Sequence, residues 1–284
     1  MLLKERYRMD IINQVEQLFI QNKIDIFLGY TELDGHLIPH GFTHENLDEL
    51  KELKVSENRY SLEKIATHLS EKDPDLKIGM IARDCNQRAL NLLYTWNQLN
   101  PENIEIVNVN CCPSPLKRHS NCSYLEPKQS GEFKKEHGID YNADPDSLME
   151  TFNNNERFSR WMYEFNKCIK CYGCRNICPV CFCTECSLEH ASLIEPGTLP
   201  AEVPIFHLVR ATHMAGRCID CGLCEEACPS HIPLRLLYRE VNEITSNIFN
   251  YKPGDTMEKS PFTIIGDKVE LEPKPMDFHV QGEQ

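Results

Sequence analysis

The sequence predicts an α+β fold: an N-terminal α/β half of the βαβ type, followed by a smaller, mainly helical half built around cysteine. Three observations predict it. Strand-like and helix-like stretches alternate through residues 1–110. Eleven of the 15 cysteines crowd between Cys168 and Cys228, and none follows. The stretches flanking those cysteines carry helical periodicity. The expected boundaries are 1–150 for the α/β domain with its linker, 151–248 for the cysteine-rich domain and 249–284 for an extended C-terminal tail.

Residues 8–22 place Ile11, Ile12, Val15, Leu18 and Phe19 on one helical stripe. The apolar run at 24–30 has strand length, and residues 36–42 can pair with it across Leu33-Asp34-Gly35. Residues 44–53 and 60–70 read as helices. LKIGMIA at 76–82 is a second buried strand. Residues 83–99 form a helix that stops at Asn100-Pro101, and 103–110 form a third strand. The short loops between them imply a right-handed βαβ crossover. Residues 113–148, rich in Pro, Ser, Lys and Asp, read as loop. Helices resume at 151–167, with Phe158, Trp161, Met162 and Phe165 on the apolar side, and at 205–217 and 232–248. The tail from Tyr251 carries several prolines and reads as an extended arm or a flexible end.

Composition narrows the function. With 41% hydrophobic and 26% charged residues, a buried core is feasible. A net charge of -13 argues against a nucleic-acid binder or a surface for anionic lipid. The first residues lack a secretory pattern, and no stretch has the length and apolarity of a membrane span. A cytoplasmic location follows, where thiols stay reduced and dense cysteine reads as metal binding. An odd cysteine count also does not fit a fully paired disulfide framework.

The chemistry lies in a repeat. Residues 168–179 read CIKCYGCRNICP and residues 218–229 read CIDCGLCEEACP. Both are C-x2-C-x2-C-x3-C-P, the run of bacterial ferredoxins. Three cysteines at this spacing wrap three corners of one [4Fe-4S] cubane, and the fourth reaches the neighbouring cluster. Cluster one is therefore assigned to Cys168, Cys171, Cys174 and Cys228, and cluster two to Cys218, Cys221, Cys224 and Cys178. Zinc sites usually draw two cysteines from each of two knuckles, which this run does not resemble. Gly173 and Gly222 are expected to let the backbone approach the clusters. Residues 151–240 hold nine basic and ten acidic residues against 17 and 25 in residues 1–150, so the cysteine-rich part is the least acidic. Such a balance suits anionic clusters. Four-thiolate clusters lack an open coordination position, so the motif points to electron transfer without naming a substrate.

Seven cysteines remain. Cys181, Cys183 and Cys186 lie within six residues, and Cys85 and Cys111 each follow a predicted strand, where α/β sheets place their sites. A third Fe-S cluster drawn from these five is one expectation; buried small hydrophobes are the other. A redox pair at Cys111-Cys112 has poor geometry. Arg83 and Arg88 flank Cys85 at a helix start, where an anion such as a cofactor phosphate could bind, or where they are ordinary solvated charges. The histidines show no HExxH spacing, and no GxGxxG, P-loop or G-x-S-x-G occurs.

Residues 77–90, KIGMIARDCNQRAL, resemble a segment of the beta subunits of coenzyme F420-reducing hydrogenase and of formate dehydrogenase. Cys168 to Cys186, then HLVRATHMAGR at 207–217, the second motif and SHIPLRLL at 230–237 resemble dicluster iron-sulfur members of that group. The resemblance spans roughly residues 20–240. It implies an electron-transfer subunit in a cytosolic complex of an anaerobe. Its implied partners are a formate dehydrogenase or hydrogenase catalytic subunit, or a heterodisulfide-reductase-like module. Better-known members bind FAD, and some reduce F420. Three functions are thus in view: a relay subunit without its own substrate, a flavin-containing oxidoreductase subunit exchanging electrons with F420 or NAD(P)H, and a non-redox module stapled by clusters.

Overall fold

The structure, a computed structural model, describes residues 2–55, 59–109, 116–119, 122–124, 153–190, 192, 194 and 204–262. Cys111, Cys112 and the chain beyond residue 262 lie outside the described residues.

Helix α1 (Leu2–Ile20) buries Ile11, Ile12, Val15 and Phe19, the stripe its sequence predicts. Strands β1 (Ile26–Leu33) and β2 (His36–Thr43) form an antiparallel hairpin whose register closes at Leu33 opposite His36. Its two-residue turn holds Asp34 and Gly35 in the left-handed region (φ 50° and 77°), the conformation that suits the twist of a tight hairpin. Strand β3 (Ile78–Ala82) runs parallel to β1, and β4 (Ile104–Asn108) parallel to β3, giving the order β2-β1-β3-β4. All five residues of β3 are buried, as an internal parallel strand requires.

Residues His44–Glu52 form a 3-10 segment rather than the predicted α-helix, because Asn46 (φ -121°, ψ 31°) leaves helical geometry. Helix α2 (Leu62–Lys72) follows, then α3 (Asp84–Thr95) directly after β3. The Asn86 side chain accepts the Arg83 backbone N–H at 2.8 Å and starts α3. Helix α3 is apolar on two sides. Leu90 and Leu93 join the sheet core, while Ala89 and Leu92 join a second core formed with the cysteine-rich residues. This helix is the wall between the two halves. Within the expected loop 113–148, β5 (Leu116–His119) and β6 (Cys122–Tyr124) pair antiparallel.

Helix α4 (Asn154–Asn166) opens with a reciprocal cap: the Asn153 side chain accepts from the Glu156 backbone, and the Glu156 side chain accepts from Asn153 N–H. One-turn helices α5 (Gly173–Asn176) and α7 (Leu223–Glu226) lie inside the two cysteine motifs. Between them α6 (Ile205–Met214) ends three residues earlier than its periodicity suggests. Ala215 is extended there and Gly216 turns left-handed. Helix α8 (Leu234–Phe249) closes on Asn250, a left-handed C-cap.

Residues 251–262 are not an extended arm. They fold back on α3, where the Asn91 amide donates to the Gly254 carbonyl at 3.0 Å. Gly254 is left-handed (φ 79°), and a Cβ there would lie 2.3 Å from the Arg88 carbonyl oxygen, so only glycine fits. Tyr251 and Ser260 are buried in this turn.

One buried acid gives the α/β half a pH dependence. Glu63 is 1% exposed; its carboxylate accepts the Asn86 amide at 2.6 Å and the Ser61 hydroxyl at 3.5 Å. Burial raises its pKa to about 7, although Asn86, Ser61 and Arg59 favour its charged form. An acid whose folded pKa is raised contributes stability below its unfolded pKa and loses it as pH climbs through the folded one. The loss therefore falls between the ordinary carboxylate range and about pH 7. Glu63→Gln keeps the acceptor for Asn86 and removes the charge. It should stabilise the protein by about 3 kcal/mol at pH 8 and by less than about 1 kcal/mol at pH 5. Anaerobic urea unfolding at the two pH values measures the difference.

Candidate metal centre

The two motifs share one backbone path. Lys170 and Asp220, equivalent in the repeats, are both left-handed (φ 49° and 55°), and so are Tyr172 and Gly222 (φ 57° and 79°). Two left-handed residues in such a short loop curl it into a cup, and the one-turn helix then carries the third cysteine. Gly222 occupies its left-handed position without cost. A tyrosine there costs roughly 1 kcal/mol. Tyr172 is held by its hydroxyl, which donates to the Leu188 carbonyl at 2.7 Å, and by an edge-on contact with Phe206. Gly173, expected to serve as Gly222 does, has a different task. A Cβ on it would stand 3.1 Å from the Ala227 carbonyl oxygen, so it lets the two motifs pack together.

The thiols converge across the repeats. Cys168, Cys171 and Cys174 from the first motif and Cys228 from the second line one concavity of about 330 Å³, mouth included. Cys178 of the first motif lies among Cys218, Cys221 and Cys224 of the second, close enough for their charges to interact. Among the described residues, no three His, Cys, Asp or Glu side chains converge on the space of a single metal ion.

The electrostatics call for a cationic group. Burial pushes Cys218 up to about 12. It moves Cys168, Cys174, Cys178, Cys221 and Cys224 in the same direction. Packed thiols of this kind stay neutral until metal takes the place of their protons. Backbone donors already face several sulfurs: Lys170 N–H lies 3.4 Å from Cys168 Sγ and Ile232 N–H 3.5 Å from Cys228 Sγ. Val180 N–H serves Cys178, Asp220 N–H serves Cys218 and Leu223 N–H serves Cys221. Such bonds stabilise thiolates and tune what they bind.

Helix α6 adds two polar groups that no spacing singles out. Arg210 is 2% exposed; its Nη2 donates to the Cys174 carbonyl at 2.7 Å, and its Nη1 lies 3.9 Å from Cys181 Sγ. Burial opposes its charge, but Tyr238, Cys174, Cys178 and Cys181 hold its pKa well above the ordinary arginine value. A permanent cation thus sits beside thiols of both sets. One turn earlier, His207 is 1% exposed and stacks on Phe165 at 4.7 Å. It lines the concavity of Cys168, Cys171, Cys174 and Cys228, and neither of its ring nitrogens has a hydrogen-bond partner among the described residues. Burial, then the Arg210 cation, push its pKa down to about 4, so the ring is neutral with one N–H to give. A buried donor with no partner, aimed into a thiol-lined space, fits a group rich in sulfur acceptors. On the other motif, Arg235 donates to both Asp220 carboxylate oxygens and ties the loop to α8.

Among the described residues, the remaining candidate thiols have different neighbours. Cys85 is buried at the start of α3, with Arg59 Nη1 3.8 Å from its sulfur and Cys221 within electrostatic reach. Cys181 faces Arg210. Cys183 is exposed and faces Arg217 at 3.9 Å, whose guanidinium lies 3.9 Å over Trp96. Cys186 packs with Leu188, Ile194 and Phe206. Val180 is fully packed and Phe182 turns toward the sheet core, so the intervening thiols fan to different sides. Arg83 is buried, and Arg88 clamps the two halves by donating Nε and Nη2 to the Ile219 carbonyl at 3.3 and 3.2 Å. Neither is a solvated helix charge.

Residues 211–233, which hold Cys218, Cys221, Cys224 and Cys228, match the 4Fe-4S binding domain family. Over 95 residues the chain is 44% identical to the F420-dependent formate dehydrogenase subunit beta of Methanocaldococcus jannaschii. The chain resembles formate dehydrogenase beta subunits. The aligned stretch is 34% of this chain and 25% of that relative. The F420-dependent formate dehydrogenase 1 subunit beta of Methanococcus maripaludis is 45% identical over 101 residues, 36% of this chain and 26% of the relative. The match thus spans about a quarter of these relatives' length. Among the described residues, no helix is long and apolar enough to cross a membrane.

Proposed function

We propose that the chain is an electron-relay subunit holding two [4Fe-4S] clusters in crossed ligation. Cluster one is held by Cys168, Cys171, Cys174 and Cys228, and cluster two by Cys218, Cys221, Cys224 and Cys178. The observation that supports this reading is that Cys228 lines one concavity with Cys168, Cys171 and Cys174, while Cys178 lies within electrostatic reach of Cys218, Cys221 and Cys224. When bound, such clusters supply one-electron redox chemistry. The chain's residues hold the two sites side by side, keep Arg210 as a cation near both, and leave Cys171 exposed, so cluster one lies near the surface.

Its partners would be a catalytic redox subunit of the formate dehydrogenase or hydrogenase type and a second redox module. Mixing the anaerobic chain with a formate dehydrogenase catalytic subunit and formate should bleach the iron-sulfur absorbance within seconds. Turnover of a soluble substrate by the chain alone would contradict the relay.

A second reading, a flavin-containing subunit acting with F420 or NAD(P)H, is favoured by one feature. A polar concavity between α3 and α8 reaches Cys218 and is lined by Asp84, Gln87, Arg88 and Tyr251. The relatives are named F420-dependent. A stoichiometric flavin in acid extracts of the assembled protein would put this reading first.

A further inference from the structure

We propose that α6 sets the potentials of the two clusters unequally: His207 donates its ring N–H to cluster one alone, while Arg210 acts on both. The inference rests on the two-cluster reading above and goes beyond it to the residues that tune it.

His207 and Arg210 are three residues apart, so they share one face of α6. Both are almost fully buried. A buried imidazole with both nitrogens unpaired is a costly choice at a position where phenylalanine would pack as well. Phe165 and Phe206 hold the ring by stacking and edge contact, so its orientation is fixed by packing rather than by hydrogen bonds. The concavity it faces is otherwise lined by the four thiols, by apolar groups and by Lys170, Tyr172 and Ser230, none of which hydrogen-bonds the imidazole; the Tyr172 hydroxyl is committed to the Leu188 carbonyl. The group in that concavity is the available acceptor. Only the first set of cysteines shares this space with His207, whereas Arg210 neighbours Cys174 of one set and Cys178 of the other. A hydrogen bond or cation near a cluster favours its reduced, more negative state. Removing either therefore lowers the potential.

The test is a redox titration of the full chain, purified anaerobically with its iron, followed by EPR. His207→Phe should lower the potential of one cluster, with a shift of about tenfold in its reduction equilibrium, or about 59 mV for a one-electron couple. The other cluster should not move. His207→Gln, which restores an N–H, should recover most of the loss. Arg210→Gln should lower both potentials, and Arg210→Lys should lower them less. If His207→Phe does not retain iron, pulsed EPR of the reduced unaltered protein labelled with 15N-histidine replaces it. A hyperfine coupling to imidazole nitrogen that disappears in His207→Gln supports the inference, and no coupling contradicts it. Two cluster signals with unmoved potentials in an iron-replete His207→Phe protein would overturn the inference alone. A single cluster signal in the unaltered protein would overturn the two-cluster reading and the inference together.

Discussion

Cys178→Ala loses the cluster of the second motif, although Cys178 belongs to the first, and Cys228→Ala loses the cluster of the first. Each variant should retain about half of the iron and one of two EPR signals. The retained signal should differ between them. The expectation follows from where the thiols stand: Cys228 shares a concavity with Cys168, Cys171 and Cys174, and Cys178 lies among Cys218, Cys221 and Cys224. Cys171→Ala should match Cys228→Ala, and Cys221→Ala should match Cys178→Ala. If instead Cys171→Ala and Cys178→Ala lost the same cluster, each motif would ligate its own cluster.

Stripping the iron should unfold the cysteine-rich half and leave the sheet half folded. Among the described residues, the sheet core holds many large buried side chains and no cysteine. The second core has, among the described residues, sixteen buried residues, of which five are cysteines from the two motifs, so part of its interior is thiol where a metal-free core would need hydrocarbon. Helices α5 and α7 are four residues each and cannot persist alone. Metal binding to such small sites contributes on the order of 10 kcal/mol of folding energy. After anaerobic chelation, far-UV circular dichroism should lose the signal of α4, α6 and α8. Amide protons of β1 and β3 should stay protected from exchange. Persistence of all three helices in iron-free protein would contradict this.

Particular residues explain what the sequence made legible. Strands β1, β3 and β4 are apolar runs bounded by turns, so local pattern suffices to find them. The short strands LKRH and CSY carry no alternation and read as loop. Residues 44–52 keep helical spacing while Asn46 breaks the helix, a backbone event that spacing does not report. The turn at 251–262 depends on one glycine meeting α3, a contact 163 residues apart in sequence at its anchoring hydrogen bond.

The site divides in the same way. Eight cysteines stand at the spacing of bacterial ferredoxin runs, so the proposed grouping is drawn along the chain. Density alone suggests a third centre drawn from Cys181, Cys183, Cys186, Cys85 and Cys111; Val180 and Phe182 pack inward beside Cys181 and Cys183, and Cys186 packs with Leu188 and Phe206. His207 and Arg210 look like ordinary members of an amphipathic helix. Their importance lies in burial, which is a tertiary property. They are buried on a face shared with Phe206, Ala211 and Met214.

The most direct test of the two-cluster relay is an iron, sulfide and flavin count on anaerobically purified protein. The account predicts about eight irons and about eight sulfides per chain, with no stoichiometric flavin. About four irons would contradict it by leaving one set of four thiols empty, and about twelve would contradict it by requiring a third cluster among the remaining thiols.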